Sequence, residues 1–200
     1  MAIYLVRHGE TDGNRNRILQ TPDTPLSTLG QQQAQEFAIA YKDTPIEAIL
    51  CSDYLRTKQT IEPLLKLQSH KVTYEPLLQE RSFGDIRGKA YDDVEDDFFA
   101  EDYAPPNGET KQQFVERVAK AWECIVKFSA EHSGDILVMT HGLVLREIVN
   151  THLEKDPAFK YLSDYHNTCV TKIEMGKVLT VLSLCDISHL STQTTASGAV

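Results

Sequence analysis

Three short apolar runs constrain this chain more than any other feature: "AIYLV" at 2–6, "EAILCS" at 47–52 and "DILVMT" at 135–140. Each is too brief for a helix and too uniformly apolar for a strand with one wet face, so each reads as a strand buried on both sides. Segments of helical period lie between them. "LSTLGQQQAQEFAIAYKD" has Ser27 as a ready N-cap, with Leu29, Ala34, Phe37, Ala38 and Tyr41 at helical spacing. "DYLRTKQTIEPLLKLQ" follows the second run, and Pro63 is expected to end or kink it. Thr110 or Asn107 opens the longest helical pattern, with Phe114, Val118, Ala121, Trp122, Ile125 and Val126 on one face, and "LVLREIVNTHL" follows the third run. "VTYEP" supplies a further strand, and "CVTKIEM" and "VLTVLSL" make a hairpin around Gly176-Lys177, glycine first as a type II′ turn prefers. Strands alternating with helices imply an α/β fold: a three-layer αβα sandwich whose central sheet is mostly parallel, with an antiparallel edge strand.

Residues 1–190 read as one domain, and the polar stretch 191–200, "STQTTASGAV", as a disordered tail. Residues 79–110 have no clear period and read as an excursion over the surface with one short helix at most. The formal net charge of −9 argues against a nucleic-acid or anionic-membrane partner, although a pocket obeys its local charges. No run reaches the ~18 apolar residues of a membrane span. "MAIYLVRHGE" lacks the charged start of a secretory signal, so a cytoplasmic location is expected. Cys51, Cys124, Cys169 and Cys185 are widely spaced and read as small buried hydrophobes, with neither a zinc site nor a disulfide framework.

Chemistry is expected where parallel strands end, because loops and helix N-termini converge there. The first run ends in Arg7 and His8, the third in His141-Gly142, and the second leads to Ser52 and, one turn into the next helix, Arg56. Two guanidiniums and two imidazoles at one rim suit a dianion, since the planar arginine fork matches phosphate oxygens. A hydrogen-bonded structural histidine is the plainer alternative for each strand end, and the pattern leaves both open. A metal site is a third reading, but it calls for carboxylates at the rim rather than Arg7 beside His8.

The motifs resemble the histidine phosphatase superfamily, also called the phosphoglycerate mutase-like family. "RHGETDGNRNRILQ…DTPLSTLGQQQA" (7–34) is similar to its opening block, "CSDYLRTKQT" (51–60) to its second and "LLQERSFGDIRG" (77–88) to its third; "PPNGET" (105–110), Arg117 and "MTHG" (139–142) complete the order. The resemblance implies a cofactor-independent, metal-free mechanism with His8 as nucleophile and phosphoryl carrier. Arg7, Arg56 and His141 would surround the transferring group, Asn14 and Gln20 would touch its oxygens, and Glu80 would protonate the leaving oxygen and then activate water. Each assignment is chemically reasonable: neutral imidazole is a competent nucleophile near pH 7, fixed cations stabilise the charge of phosphoryl transfer, and one carboxyl can act first as acid and then as base. Glu80 would then have to hold its proton near neutrality, which partial burial favours.

Mutases of the family carry a longer segment, with an arginine pair, between the acid glutamate and the Pro-rich motif. Here 24 residues separate Glu80 from Pro105, and the stretch from Ala90 to Thr110 has no lysine or arginine; "DDVEDDFFAED" instead packs seven acids into eleven positions at 92–102. Gly13 stands where a tryptophan is common, and Thr21-Pro22 where a glycine is usual. Hydrolysis of a small phosphorylated metabolite is therefore expected over mutase transfer, and the presence of both His8 and Glu80 sets it above an inactive phosphate- or protein-binding module. Arg15, Arg17, Arg81, Arg87 and Lys89 are candidates for a second anion, and Tyr91, Phe98, Phe99 and Tyr103 for capping a neutral leaving group.

Overall fold

In the computed structural model, which describes residues 1–153, 165–176 and 179–195, six strands form one sheet. They are β1 (Ala2–Arg7), β2 (Ile46–Cys51), β3 (Lys71–Tyr74), β4 (Asp135–Thr140), β5 (Val170–Met175) and β6 (Leu179–Asp186), in the order β3-β2-β4-β1-β5-β6. β1, β2, β3 and β4 pair in parallel, and β5 is antiparallel to both β1 and β6. The α/β expectation with an antiparallel edge therefore holds.

Period-two alternation splits each central strand between two cores. Ile3, Leu5, Ile136 and Val138 face α4 (Lys111–Ala130) and α5 (Gly142–Thr151). Tyr4, Val6, Leu137 and Met139 face α2 (Thr28–Tyr41) and α3 (Leu55–Leu67). A short α1 (Asp12–Arg15) follows β1. From β1 the chain runs to β2, beyond β4; from β4 it runs to β5, on the far side of β1. The two connections run in opposite directions over opposite faces of the sheet, and the strand ends that carry Arg7, His8 and His141 meet at the carboxyl ends of β1 and β4.

Helix starts follow the sequence. Ser27 caps α2 through Gly30 N–H at 3.0 Å, and Thr110, rather than Asn107, caps α4 in a reciprocal box with Gln113. Pro63 does not end α3. The helix continues to Leu67 because Pro63 and Leu64 are both buried, and packing outweighs the one backbone bond proline removes.

The segment after β3 contains three single 3-10 turns (Pro76–Leu78, Gly84–Ile86 and Tyr91–Asp93) and no α-helix. It is also more than a surface excursion. Phe83, Ile86 and Phe98 bury themselves with Leu19, and Leu19 exchanges backbone bonds with Lys89 and Gly88. The tail expectation fails for 191–195: Thr194 is buried, its hydroxyl reaches Glu36, and Gln33 donates to its carbonyl at 2.9 Å. Residues 196–200 and the Lys177 half of the expected hairpin turn lie outside the described residues. All four cysteines are free; Cys51, Cys169 and Cys185 are buried, and Cys124 is partly exposed. Among the described residues no helix is long and apolar enough to cross a membrane.

Candidate active site

β1 delivers Arg7 and His8 to this edge of the sheet, and the loop after it is held on every side. His8 N–H donates to Thr140 at 3.0 Å, while its carbonyl accepts from Asn167 Nδ2 at 3.0 Å and from Thr168 N–H at 3.2 Å. Thr168 makes its bond from the left-handed region (φ 58°), a costly conformation for a β-branched residue, kept where it braces His8. Gly9 N–H bonds Thr60 Oγ1 at 3.0 Å and Glu10 N–H bonds Gln33 at 2.8 Å, tying the loop to α3 and α2. The glycine of the "LSTLG" motif has a steric reason: a Cβ on Gly30 would lie 2.0 Å from the carbonyl oxygen of Glu10.

The tautomer of His8 follows from its partners. Nδ1 lies 2.7 Å from the carbonyl of Gly9, an acceptor only, so Nδ1 carries the proton. Nε2 then has a lone pair, and it accepts from Arg56 Nε at 3.2 Å. Burial, followed by the charges of Arg56 and Arg7, drives the His8 pKa well below the usual imidazole range, against the bond to Gly9.

Arg7 and Arg56 are sealed from solvent and belong to the same cluster. Arg7 donates to the carbonyl of Tyr165, and Arg56 to that of Thr21 at 3.0 Å. Thr21-Pro22 thus braces the start of α3, since Leu55 N–H also bonds Pro22 at 3.0 Å. Burial lowers Arg7 and takes Arg56 down to about 10, with Glu80 opposing the shift in both.

His141 is the N-cap residue of α5, its ring centroid 5.2 Å from that of His8. Its Nε2 lies 2.8 Å from Ser52 Oγ, and its Nδ1 is buried without a hydrogen-bond partner among the described residues. Burial first, then Arg56, holds it well below the imidazole range. It stands beside the cluster without lining the open slot, so three of the four residues expected around one pocket do so: Arg7, His8 and Arg56.

That slot is about 40 Å³, a few water-sized positions at ~10–15 Å³ each. Glu80, Asn14 and Gln20 join its wall. Half-buried Glu80 is fixed by backbone donors, Arg81 N–H at 3.1 Å and Leu143 N–H at 3.2 Å. Asn14 Oδ1 is occupied by Thr11 N–H at 3.2 Å, which leaves Nδ2 to donate to a ligand. Gln20 has a buried oxygen without a partner among the described residues, and it lies where a side chain on Gly13 would sit, 2.6 Å from Gln20 Cγ. Of the cations considered for a second anion only Arg81 reaches the slot. Arg15 pairs with Asp12 at the surface, Arg17 lies over the Tyr91 ring, Arg87 bonds Tyr54, and Lys89 is exposed. Tyr91 and Phe99 line the slot, Phe98 is core, and Tyr103 contributes its carbonyl to Arg81.

The sequence reading missed Asn167 and Thr60, which fix the nucleophile's loop, and the clamp around Glu80. Arg117 grips Glu109 with two bonds of 2.6 and 2.8 Å, and donates to the carbonyls of Leu77 and Gln79 at 2.8 and 2.7 Å. Glu109 returns a bond to Ser82 N–H at 2.8 Å, so both flanks of Glu80 are held. Burial pushes Glu109 up, but the Arg117 and Ser82 bonds outweigh it, and its pKa ends below the usual carboxylate value.

Relatives match over nearly the whole chain. A probable phosphatase of Schizosaccharomyces pombe is 29% identical over 206 residues, covering 98% of both chains. A probable phosphoglycerate mutase, GpmB, of Enterobacter is 32% identical over 95% of both. The crystal structure of an α-ribazole phosphatase from Shigella flexneri superposes with a TM-score of 0.75 at 25% identity, over 93% of this chain and 96% of that one. The sequence profile of the histidine phosphatase superfamily (branch 1) matches residues 3–186, and the chain belongs to that superfamily.

Proposed function

We propose that this protein is a metal-independent phosphomonoester hydrolase of the cytoplasm, acting on a small phosphorylated metabolite through a phosphohistidine on His8. The observation that carries this reading is the pairing of a lone pair on His8 Nε2 with buried cationic donors beside it and a carboxyl across the slot. Substrate takes the Arg56 donor from His8: the phosphoryl oxygens bind Arg7, Arg56, Asn14 Nδ2 and Gln20, with His141 beside the cluster, and Nε2 is freed to attack phosphorus. As the N–P bond forms, the P–O bond to the alcohol breaks, and Glu80 gives its proton to the leaving oxygen. Water then enters, Glu80 takes one of its protons, and the oxygen displaces His8 to release inorganic phosphate. The cations favour the charge spread over the phosphoryl oxygens, and loss of one such donor typically costs about 3–4 kcal/mol of barrier.

The relatives named as phosphoglycerate mutases favour a second reading, phosphoryl transfer back to substrate. One experiment separates the two: turnover of an aryl phosphate and of a phosphoglycerate in excess chelator, for the parent and His8→Ala. Chelator-resistant release of phosphate, lost in His8→Ala, supports the hydrolase. Isomerised phosphoglycerate without free phosphate supports the mutase, and no turnover of either substrate overturns both.

A further inference from the structure

Beside the slot lies a second, larger cavity of about 420 Å³, within the size range of metabolite pockets. The two share the walls Arg81, Phe99 and Leu143. Leu143 also donates its N–H to Glu80, so the carboxyl assigned to the leaving oxygen stands at the doorway.

The cavity's chemistry is unlike the protein's average. In a chain of net charge −9, the described residues of its lining include three cations, Arg81, Lys111 and Arg146, and one carboxylate, Glu147. That carboxylate already faces Lys111 at 3.8 Å and accepts the Thr151 hydroxyl at 2.8 Å. Arg81 acts as wall, its guanidinium donating to the carbonyls of Glu109 and Tyr103 at 3.3 Å each. Lys111 is the first residue of the 20-residue α4, whose first turn contains no acid, so the positive helix end adds to its charge. Arg146 and Asn150 lie one turn apart on α5, and Phe99, Phe114 and Leu143 supply apolar surface between the polar groups. From the acidic stretch 92–102 only Phe99 reaches this lining; Glu101 acts on it through its charge on Arg81, which leaves Lys111 and Arg146 as the cations for an anion here.

We propose that this cavity receives the alcohol half of the substrate, and that this half carries a second anionic group, a carboxylate or another phosphate, bound by Lys111 and Arg146. The inference rests on the phosphatase reading of the slot. The carbon skeleton packs against Phe99, Phe114 and Leu143, and the two cations set the preference among phosphomonoesters.

Matched substrate pairs test it by kcat/KM. Glycerate 3-phosphate against glycerol 3-phosphate probes a carboxylate, and a sugar bisphosphate against the sugar monophosphate probes a second phosphate. The anionic member of at least one pair is expected to be favoured about tenfold or more, as one charge-assisted bond supplies. The pair that responds identifies the group. In Lys111→Gln and Arg146→Gln the readout is the ratio within that pair, which should shrink towards unity; Lys111, at a helix start and partly exposed, is replaceable even if Arg146→Gln fails to fold. Hydrolysis of p-nitrophenyl phosphate with no anionic preference in either pair, or a preference untouched by Lys111→Gln, overturns the second-anion site and leaves the phosphatase reading intact. Absence of hydrolysis of p-nitrophenyl phosphate and of every paired substrate overturns both.

Discussion

Arg56 donates from Nε to Nε2 of His8 across 3.2 Å, a bond that exists only while the imidazole is neutral. His8 and His141 are both buried, and burial holds both far below the ordinary imidazole pKa. The unfolded chain protonates each near pH 6.5, whereas the folded chain does so only at much lower pH. Between those limits the unfolded state binds more protons, so stability falls as pH falls below about 6.5. Each histidine contributes up to about 1.4 kcal/mol per pH unit to that slope. Urea unfolding from pH 7 to 5 should therefore slope less steeply in His8→Gln and His141→Gln. His189, also lowered by burial, keeps its share in both variants. An unchanged slope would mean that these imidazoles are charged when folded. By the same reasoning kcat/KM should not fall with a midpoint at the ordinary imidazole pKa.

Arg7 and Arg56 lie buried in one cluster, and each lowers the pKa of His8. A dianion between them relieves that repulsion and binds only the folded chain. Orthovanadate or phosphate at a hundred times its Kd should add about 2.7 kcal/mol to stability. Thermal melts should show Tm rising with ligand concentration in the parent and much less in Arg56→Gln. Equal shifts in the two proteins would move the anion site elsewhere.

Much of this was legible because the chemistry sits at chain positions that local pattern marks. Arg7-His8 and His141-Gly142 end apolar runs that read as buried strands, and Arg56 follows the second run, 47–52, by one turn. What escaped notice depends on distance in sequence. Asn167 reaches the His8 carbonyl across 159 positions, and Arg146 is one polar residue among several on a plainly amphipathic helix until α4 brings Lys111 opposite it. Pro63 and the tail went the other way for a common reason: burial of Leu64 and of Thr194 overrides what proline and a polar composition suggest locally. Residues 79–110 lacked a period because they are ordered by an aromatic cluster and by the Glu109–Arg117 clamp, neither of which repeats.

That clamp yields the sharpest expectation. Arg117 does not line the slot; it holds the carbonyls on the Glu80 segment, and Glu109 holds the amide of Ser82. It is therefore a positioning residue, and its loss should weaken proton transfer rather than phosphate binding. Proper placement of a general acid contributes about 10²–10⁴-fold, but only where the leaving oxygen needs a proton. Arg117→Ala should lower kcat for an alkyl phosphate substantially and for p-nitrophenyl phosphate far less, with little change in inhibition by inorganic phosphate. Glu80→Gln should show the same selectivity more strongly. The double variant should be scarcely worse than Glu80→Gln alone, because both changes remove one function. Equal losses on both substrates, or losses that add in the double variant, would make Arg117 a general structural support with no particular claim on Glu80.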